Sequence, residues 1–181
     1  MPEDAGSEKP GPGQAKAWPA AMLDRYYDDY RRLARNVLSG DQARAFLQPT
    51  ELAHEAAIRL FRLERMDIAG RTHFLSLSAR VMRQVLIDEV RRFRAQKRQA
   101  PPVVTEWADG QARPVFDLEA FDDALGRLME VDPERAKIVE QRFYGGLTLE
   151  EIAAVSGVSL STVKRQWRVA RAWLLDDLSA E

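Results

Sequence analysis

Residues 147–178 read LTLEEIAAVSGVSLSTVKRQWRVARAWLLDDL, and this stretch decides the fold. Thr148-x-x-Glu151 has the form of a capping box, in which a hydroxyl and a carboxylate satisfy each other's backbone N–H groups at the start of a helix. Ile152, Ala153 and Val155 give that short helix an apolar side. Ser156-Gly157-Val158 breaks it, with glycine at the position that favours positive φ. Ser159 then caps a second helix. Two short helices joined by a glycine-containing turn form a helix-turn-helix. In the second helix Val163, Trp167, Ala170 and Leu174 occupy one narrow arc, while Ser161, Lys164, Arg165, Arg168 and Arg171 occupy the other side. No acidic residue stands between Ser156 and Ala172. A solvated amphipathic helix usually carries both signs, so the exclusion favours an anionic partner. Residues near the start of such a helix reach base edges, and those further along neutralise phosphates. A basic bundle helix with no DNA role is the weaker reading at this spacing. Trp167 belongs to the core arc, and Trp173 has room to pack on the preceding helix.

Upstream, the chain reads as further helices joined by short breaks. From Pro19 to Leu38 apolar residues recur at helical spacing, and Ser39-Gly40 closes that helix. Pro49-Thr50 opens another, with Leu52, Ala56, Leu60 and Leu63 on one side. After Gly70, a long helix is expected from Thr72 to Arg94. Phe74, Leu77, Val81, Met82 and Val85 fall on one broad face of it. Arg80, Arg83, Arg91, Arg94 and Arg98 fall within about 80° of arc on another. Such a ladder can follow a phosphate backbone. Asp88 and Glu89 interrupt it, so a plain solvated face stays open on this feature alone. No alternating strand pattern with turn signals stands out, and the expected class is all-α.

Composition narrows the function. The chain has 181 residues, of which 45% are hydrophobic, an ordinary share for a globular protein. It has no cysteine, which excludes disulfides, thiol catalysis and cysteine-bound metal, and which fits a reducing cytoplasm as the expected location. Two histidines, His54 and His73, are too few for a histidine-rich metal site. There is no apolar run of transmembrane length and no secretory pattern near the start, so no membrane role is expected. The net charge of -1 conceals an uneven distribution. Residues 21–100 hold 16 basic and 10 acidic side chains, whereas residues 101–133 hold 2 and 8. A basic block followed by an acidic joint suggests two functional units with a spacer. The acidic joint can lie against the basic block and mask it, although exposed charges attract weakly and salt screens them.

Catalytic motifs fail on inspection. His54-Glu55 begins like a zinc-protease HExxH motif, but the fifth position is Ile58, so the second ligand is missing. Gly11-Pro12-Gly13 and Gly145-Gly146 are too short for phosphate loops. Asp28-Asp29, Asp122-Asp123 and Asp176-Asp177 are adjacent carboxylates that point to different sides of a helix. No enzyme, metal or cofactor is expected.

Taken together the residues resemble an extracytoplasmic-function (ECF) sigma factor of the sigma-70 family, and an ECF-like subgroup within it. The resemblance runs from about Leu23 to Leu178. Asp132-Pro133, RFYGG (142–146), TVKR (162–165) and ARAWL (170–174) are similar to sigma region 4. LQPTELAHEA (47–56) with Ile58, Arg59 and Leu60 is similar to region 2.2. HisPheLeu (73–75), Ala79-Arg80 and LIDEVRR (86–92) resemble regions 2.3 and 2.4.

The resemblance implies two small helical domains, a region 2 bundle over 19–98 and a region 4 helix-turn-helix over 118–179. A flexible linker over 99–117 would join them, after a disordered tail over 1–18. It implies a promoter-recognition subunit without catalysis of its own, whose partners are core RNA polymerase (β′ clamp and β flap), promoter DNA and, in some members, an anti-sigma factor. Glu51, His54, Glu55 and Arg59 match the polymerase-docking positions. Arg71, His73 and Phe74 match the loop that captures flipped -10 bases, where a base stacks on an aromatic ring and arginines hold the backbone. Arg80, Arg83, Arg91 and Arg92 would track the strands. Ser161, Thr162, Lys164, Arg165 and Arg168 would read the -35 duplex, with Arg171 on phosphate. Two other readings of the residues stay open: an autonomous helix-turn-helix regulator, and a degenerate sigma that serves as a protein-interaction module.

Overall fold

The computed structural model describes residues 18–38, 47–63, 68, 70–96, 103–106 and 115–179. The expected tail over 1–17, the Ser39-Gly40 closure, Arg98 and most of the 99–117 linker lie outside the described residues. Eight helices run in order through the described residues: α1 Trp18–Arg25, α2 Tyr27–Val37, α3 Pro49–Arg62, α4 Gly70–Gln96, α5 Leu118–Val131, α6 Pro133–Phe143, α7 Leu149–Ser156 and α8 Leu160–Ser179. The class is all-α, as expected.

Two features depart from the expectation. The single helix over Pro19–Leu38 is two, divided at Tyr26, whose φ of -121° and ψ of 28° leave the helical region. The break keeps its hydrogen bonds, with the Tyr26 N–H donating to Met22 O and the Tyr30 N–H to Tyr26 O at 2.9 Å each. Trp18, placed in the tail by the sequence reading, opens α1. The second departure is a ribbon inside the linker, β1 Val104–Glu106 against β2 Val115–Asp117, antiparallel with Thr105 opposite Phe116. Strands of three residues are too short for alternation to register. The ribbon leads straight into α5, where the Leu118 N–H donates to Val103 O at 2.7 Å.

In the first helical set, α2 buries Tyr30, Leu33, Ala34 and Val37, the i, i+3, i+4, i+7 stripe of one helix face. Pro49 at the first turn and the Gln48 N–H bonded to Glu51 Oε2 at 2.8 Å start α3, which buries Leu52, Ala56 and Leu60. Leu63, expected on that side, is 37% exposed at the C-cap. Phe74 of α4 closes the set, with ring centroids 6.1 Å from Tyr26 and 6.0 Å from Tyr30. Each such side chain removed from water contributes about 1.5–3 kcal/mol.

In the second set, α5 buries Leu118, Phe121, Ala124, Leu125 and Leu128 under an Asp117 N-cap bonded to the Glu119 N–H. Asp132 caps α6 through the Arg135 N–H at 3.0 Å, with Pro133 behind it. Phe121 packs on Phe143, centroids 4.3 Å apart. The turn after α6 needs its two glycines. A Cβ at Gly145 would lie 2.5 Å from the Gln141 carbonyl oxygen, and Gly146 has φ +65°. A Cβ at Gly146 would also meet Asn36 Nδ2 of α2 at 2.6 Å, so the turn closely approaches the first set.

The long helix α4 connects the two sets. It packs on α2 and α3 from one side and on α5 and α6 from another. Its buried residues span far more than one stripe and include Ile87 and Val90 besides Phe74, Val81 and Val85. At 100° per residue Ile87 falls in the middle of the arginine arc. That arc is therefore a second packing face.

Candidate nucleic-acid and polymerase interfaces

The helix-turn-helix is built as its residues dictate. The Thr148 hydroxyl accepts from the Glu151 N–H at 3.1 Å, and Glu151 Oε2 accepts from the Thr148 N–H at 2.8 Å. Gly157 takes φ +66° and ends α7. The Ser159 hydroxyl accepts from the Thr162 N–H at 3.2 Å and starts α8. Val163, Trp167, Ala170 and Leu174 are buried, and they fix the rotation of α8 about its axis. Ser161, Lys164, Arg165 and Arg168 are thereby exposed, with Thr162 and Arg171 half-buried at the margins. Ser161 and Thr162 share hydrogen bonds with the Ser159 hydroxyl at 2.9 Å each. Lys164 Nζ lies 3.8 Å from Glu150. Arg165 and Arg168 have no acidic partner among the described residues. Trp173, partly buried, packs against the core.

On α3 the side chains of Glu51, His54 and Glu55 are exposed and share one face with half-buried Arg59. Glu51 is engaged in starting its own helix. Arg59 reaches across to α4 and pairs with Asp88 at 2.7 Å.

The α4 residues are arranged differently. Arg71 and His73 are exposed at its start, and Arg71 Nε bonds Asp29 Oδ2 at 2.6 Å. That bond holds the Asp29 carboxyl below its usual pKa and raises the Arg71 guanidinium. Phe74 has no exposed surface; it packs on Tyr26 and Tyr30 and offers no face to a base in this arrangement. Arg80 is exposed and lies 3.1 Å from Glu140. Arg83 is mostly enclosed, its side chain 12% exposed. It pairs with Asp122, reaches Glu140 Oε1 at 3.1 Å, and lies with its Cζ 5.4 Å from the centre of the Tyr144 ring. Burial opposes the Arg83 charge, and the neighbouring Tyr144, Asp122 and Glu140 outweigh it, so its pKa stands above the ordinary arginine value. Burial likewise pushes the Tyr144 hydroxyl up. Further along, Arg91 pairs with Asp123 at 2.8 Å, Arg92 with Glu89, and Arg94 with Glu119 and, at 3.2 Å, Asp117.

The sequence reading anticipated an acidic joint against a basic block, and the residues that make it are Asp117, Glu119, Asp122 and Asp123. Glu140 went unnoticed. It is charged yet only 5% exposed, and it comes from α6 rather than from the joint. No local signal marks it, because its partners stand 57 and 60 residues away in the chain. No helix among the described residues is long and apolar enough to cross a membrane.

No curated protein compared with the chain matches it. The family model described as ECF sigma factor matches residues 11–180. This match spans the helical sets, the arginine-bearing α4 and the helix-turn-helix, so the chain belongs to the ECF sigma factors, a non-enzymatic family that acts in transcription initiation with core RNA polymerase and promoter DNA.

Proposed function

We propose that this protein selects promoters in two places at once. The first helical set (19–98) docks on the polymerase clamp and captures the melted -10 strand, and the second (118–179) reads the -35 duplex. The observation that carries this reading is the exposed face of α8 from Leu160 to Arg171, which holds no acidic residue, with Arg165 and Arg168 held outward by a buried apolar arc. A side chain reading a base edge must be rigidly aimed, and four buried neighbours supply that. Arg171, further along the helix, suits a phosphate. On α3 the exposed Glu51, His54 and Glu55 form a polar face suited to a polymerase surface, with Arg59 at its margin. Arg71 and His73, exposed at the start of α4, suit strand capture, and Arg80, Arg83, Arg91 and Arg92 would follow the strand.

Run-off transcription with purified core polymerase on promoters from the source genome tests the proposal. The expected result is promoter-specific product that requires this protein and is lost in Arg165→Ala/Arg168→Ala. Output that is the same with and without the protein would overturn it. Tight duplex binding without polymerase, at half-sites one helical turn apart, would instead favour the autonomous regulator.

A further inference from the structure

The side of α8 that the proposed function turns toward the -35 duplex is not polar throughout. Val169 follows Arg168 directly and stands one turn beyond Arg165. At about 100° per residue it lies about 40° from Arg165 around the helix, at the border of the cationic arc, and about 6 Å further along the axis. It is 44% exposed. The core does not need it, because Val163, Trp167, Ala170 and Leu174 fill the buried arc. An exposed valine alone is ordinary. This one stands beside two outward arginines, at a place where lysine or glutamine would favour the helix more.

A valine there has a specific use. In the major groove thymine presents a methyl group that no hydrogen bond can detect and that an apolar contact can. Valine in a helix holds essentially one χ1 rotamer, so its methyl groups point in a fixed direction. The buried arc that fixes the rotation of α8 therefore aims Val169 together with Arg165 and Arg168. We infer that Val169 is a further specificity-determining residue, which reads the methyl group of a thymine in the -35 element within about two base pairs of the one that Arg165 contacts, since base pairs stack about 3.4 Å apart. This inference rests on the assignment of α8 to the -35 duplex. It adds an apolar contact to a reading otherwise made by arginine, lysine and hydroxyl groups.

The test uses holoenzyme formed from the full chain and purified core polymerase, which selects -35 sequences from promoters randomised at that element. Each thymine of the selected element is then replaced in turn by deoxyuridine, which removes the methyl group and leaves every hydrogen-bonding group in place. With the unaltered protein, one such replacement is expected to weaken promoter binding about three- to fivefold. It should fall within about two base pairs of the position where Arg165→Ala relaxes the preference. In Val169→Ala the same replacement should change binding by less than about 1.5-fold, and Val169→Ile should restore the dependence on the methyl group. Val169→Ala should fold as before, because alanine is the better helix former. Deoxyuridine without effect at every thymine would overturn the inference, and so would an equal loss in Val169→Ala. Weaker assembly of Val169→Ala with core polymerase in the absence of DNA would also overturn it, because the valine would then face the polymerase. Failure of the sigma reading looks different and takes the inference with it: the unaltered holoenzyme enriches no -35 sequence, before any thymine is replaced.

Discussion

The helices α4 and α8 both carry arginines at helical spacing opposite an apolar stripe, yet the two sets of cations are in opposite states. Arg165 and Arg168 of α8 are exposed, and Lys164 beside them has Glu150 at 3.8 Å. Arg80, Arg83, Arg91 and Arg94 of α4 are matched with acids from α5, α6 and the end of β2, while Arg92 pairs with Glu89 of its own helix and Arg71 with Asp29 of α2. The difference lies in what the rest of the chain brings to each face. A basic face on a helix wheel announces an anion, and whether that anion is a nucleic acid or a distant part of the same polypeptide is decided by tertiary structure. Ile87 is the side chain that separates the two cases, since it is apolar within the arginine arc of α4 and no such residue interrupts the cationic core of α8's face.

Substitutions can break this comparison, beginning with the largest effect. Trp167→Ala removes the ring that fixes the rotation of α8 and should cost about 3–5 kcal/mol in urea unfolding. Next, Arg83→Ala should cost about 1.5–3 kcal/mol of stability, because Glu140 keeps its burial and loses a charged donor. Arg168→Ala, at the matching place on α8, should change stability by less than about 0.5 kcal/mol and reduce -35 discrimination by about 1–3 kcal/mol in competition binding. Equal stability losses at Arg83 and Arg168 would erase the distinction between the helices. Arg171→Ala should weaken binding to every duplex alike and lower the slope of log affinity against log salt by about 0.9. The smallest effect is at Asp29. Its folded pKa is depressed by Arg71, so its contribution is present at neutral pH and is lost as pH falls below about 4 through the folded value. Asp29→Asn should remove that acid-dependent part, no more than about 0.5 kcal/mol for so exposed a pair, in melts across pH 3 to 6.

Much of the architecture was legible because the deciding signals are local. Thr148, Glu151, Gly157 and Ser159 act within four residues of themselves, and the α8 arc follows from a period of 3.6. The exposed polar face of α3 follows from the same period. What stayed hidden depends on distance. The break at Tyr26 has neither glycine nor proline to announce it, and the hydrogen bonds from the Tyr26 N–H and to the Tyr26 carbonyl run through it. The ribbon at 104–106 and 115–117 exists by pairing across eight intervening positions. Glu140 is unremarkable on its own helix and acquires its meaning from two arginines of α4. The charge imbalance between segments did foreshadow the contact, though not its members or its depth.

The glycine pair after α6 leaves its turn almost nothing to vary, since one position is closed by the Gln141 carbonyl and the other by handedness. Any adjustment of that seam falls to Asn36 across the gap. A longer side chain there would act as a shim, and a shorter one would let the halves seat more deeply. Position 36 thus sets how closely the turn after α6 and the helix α2 can approach.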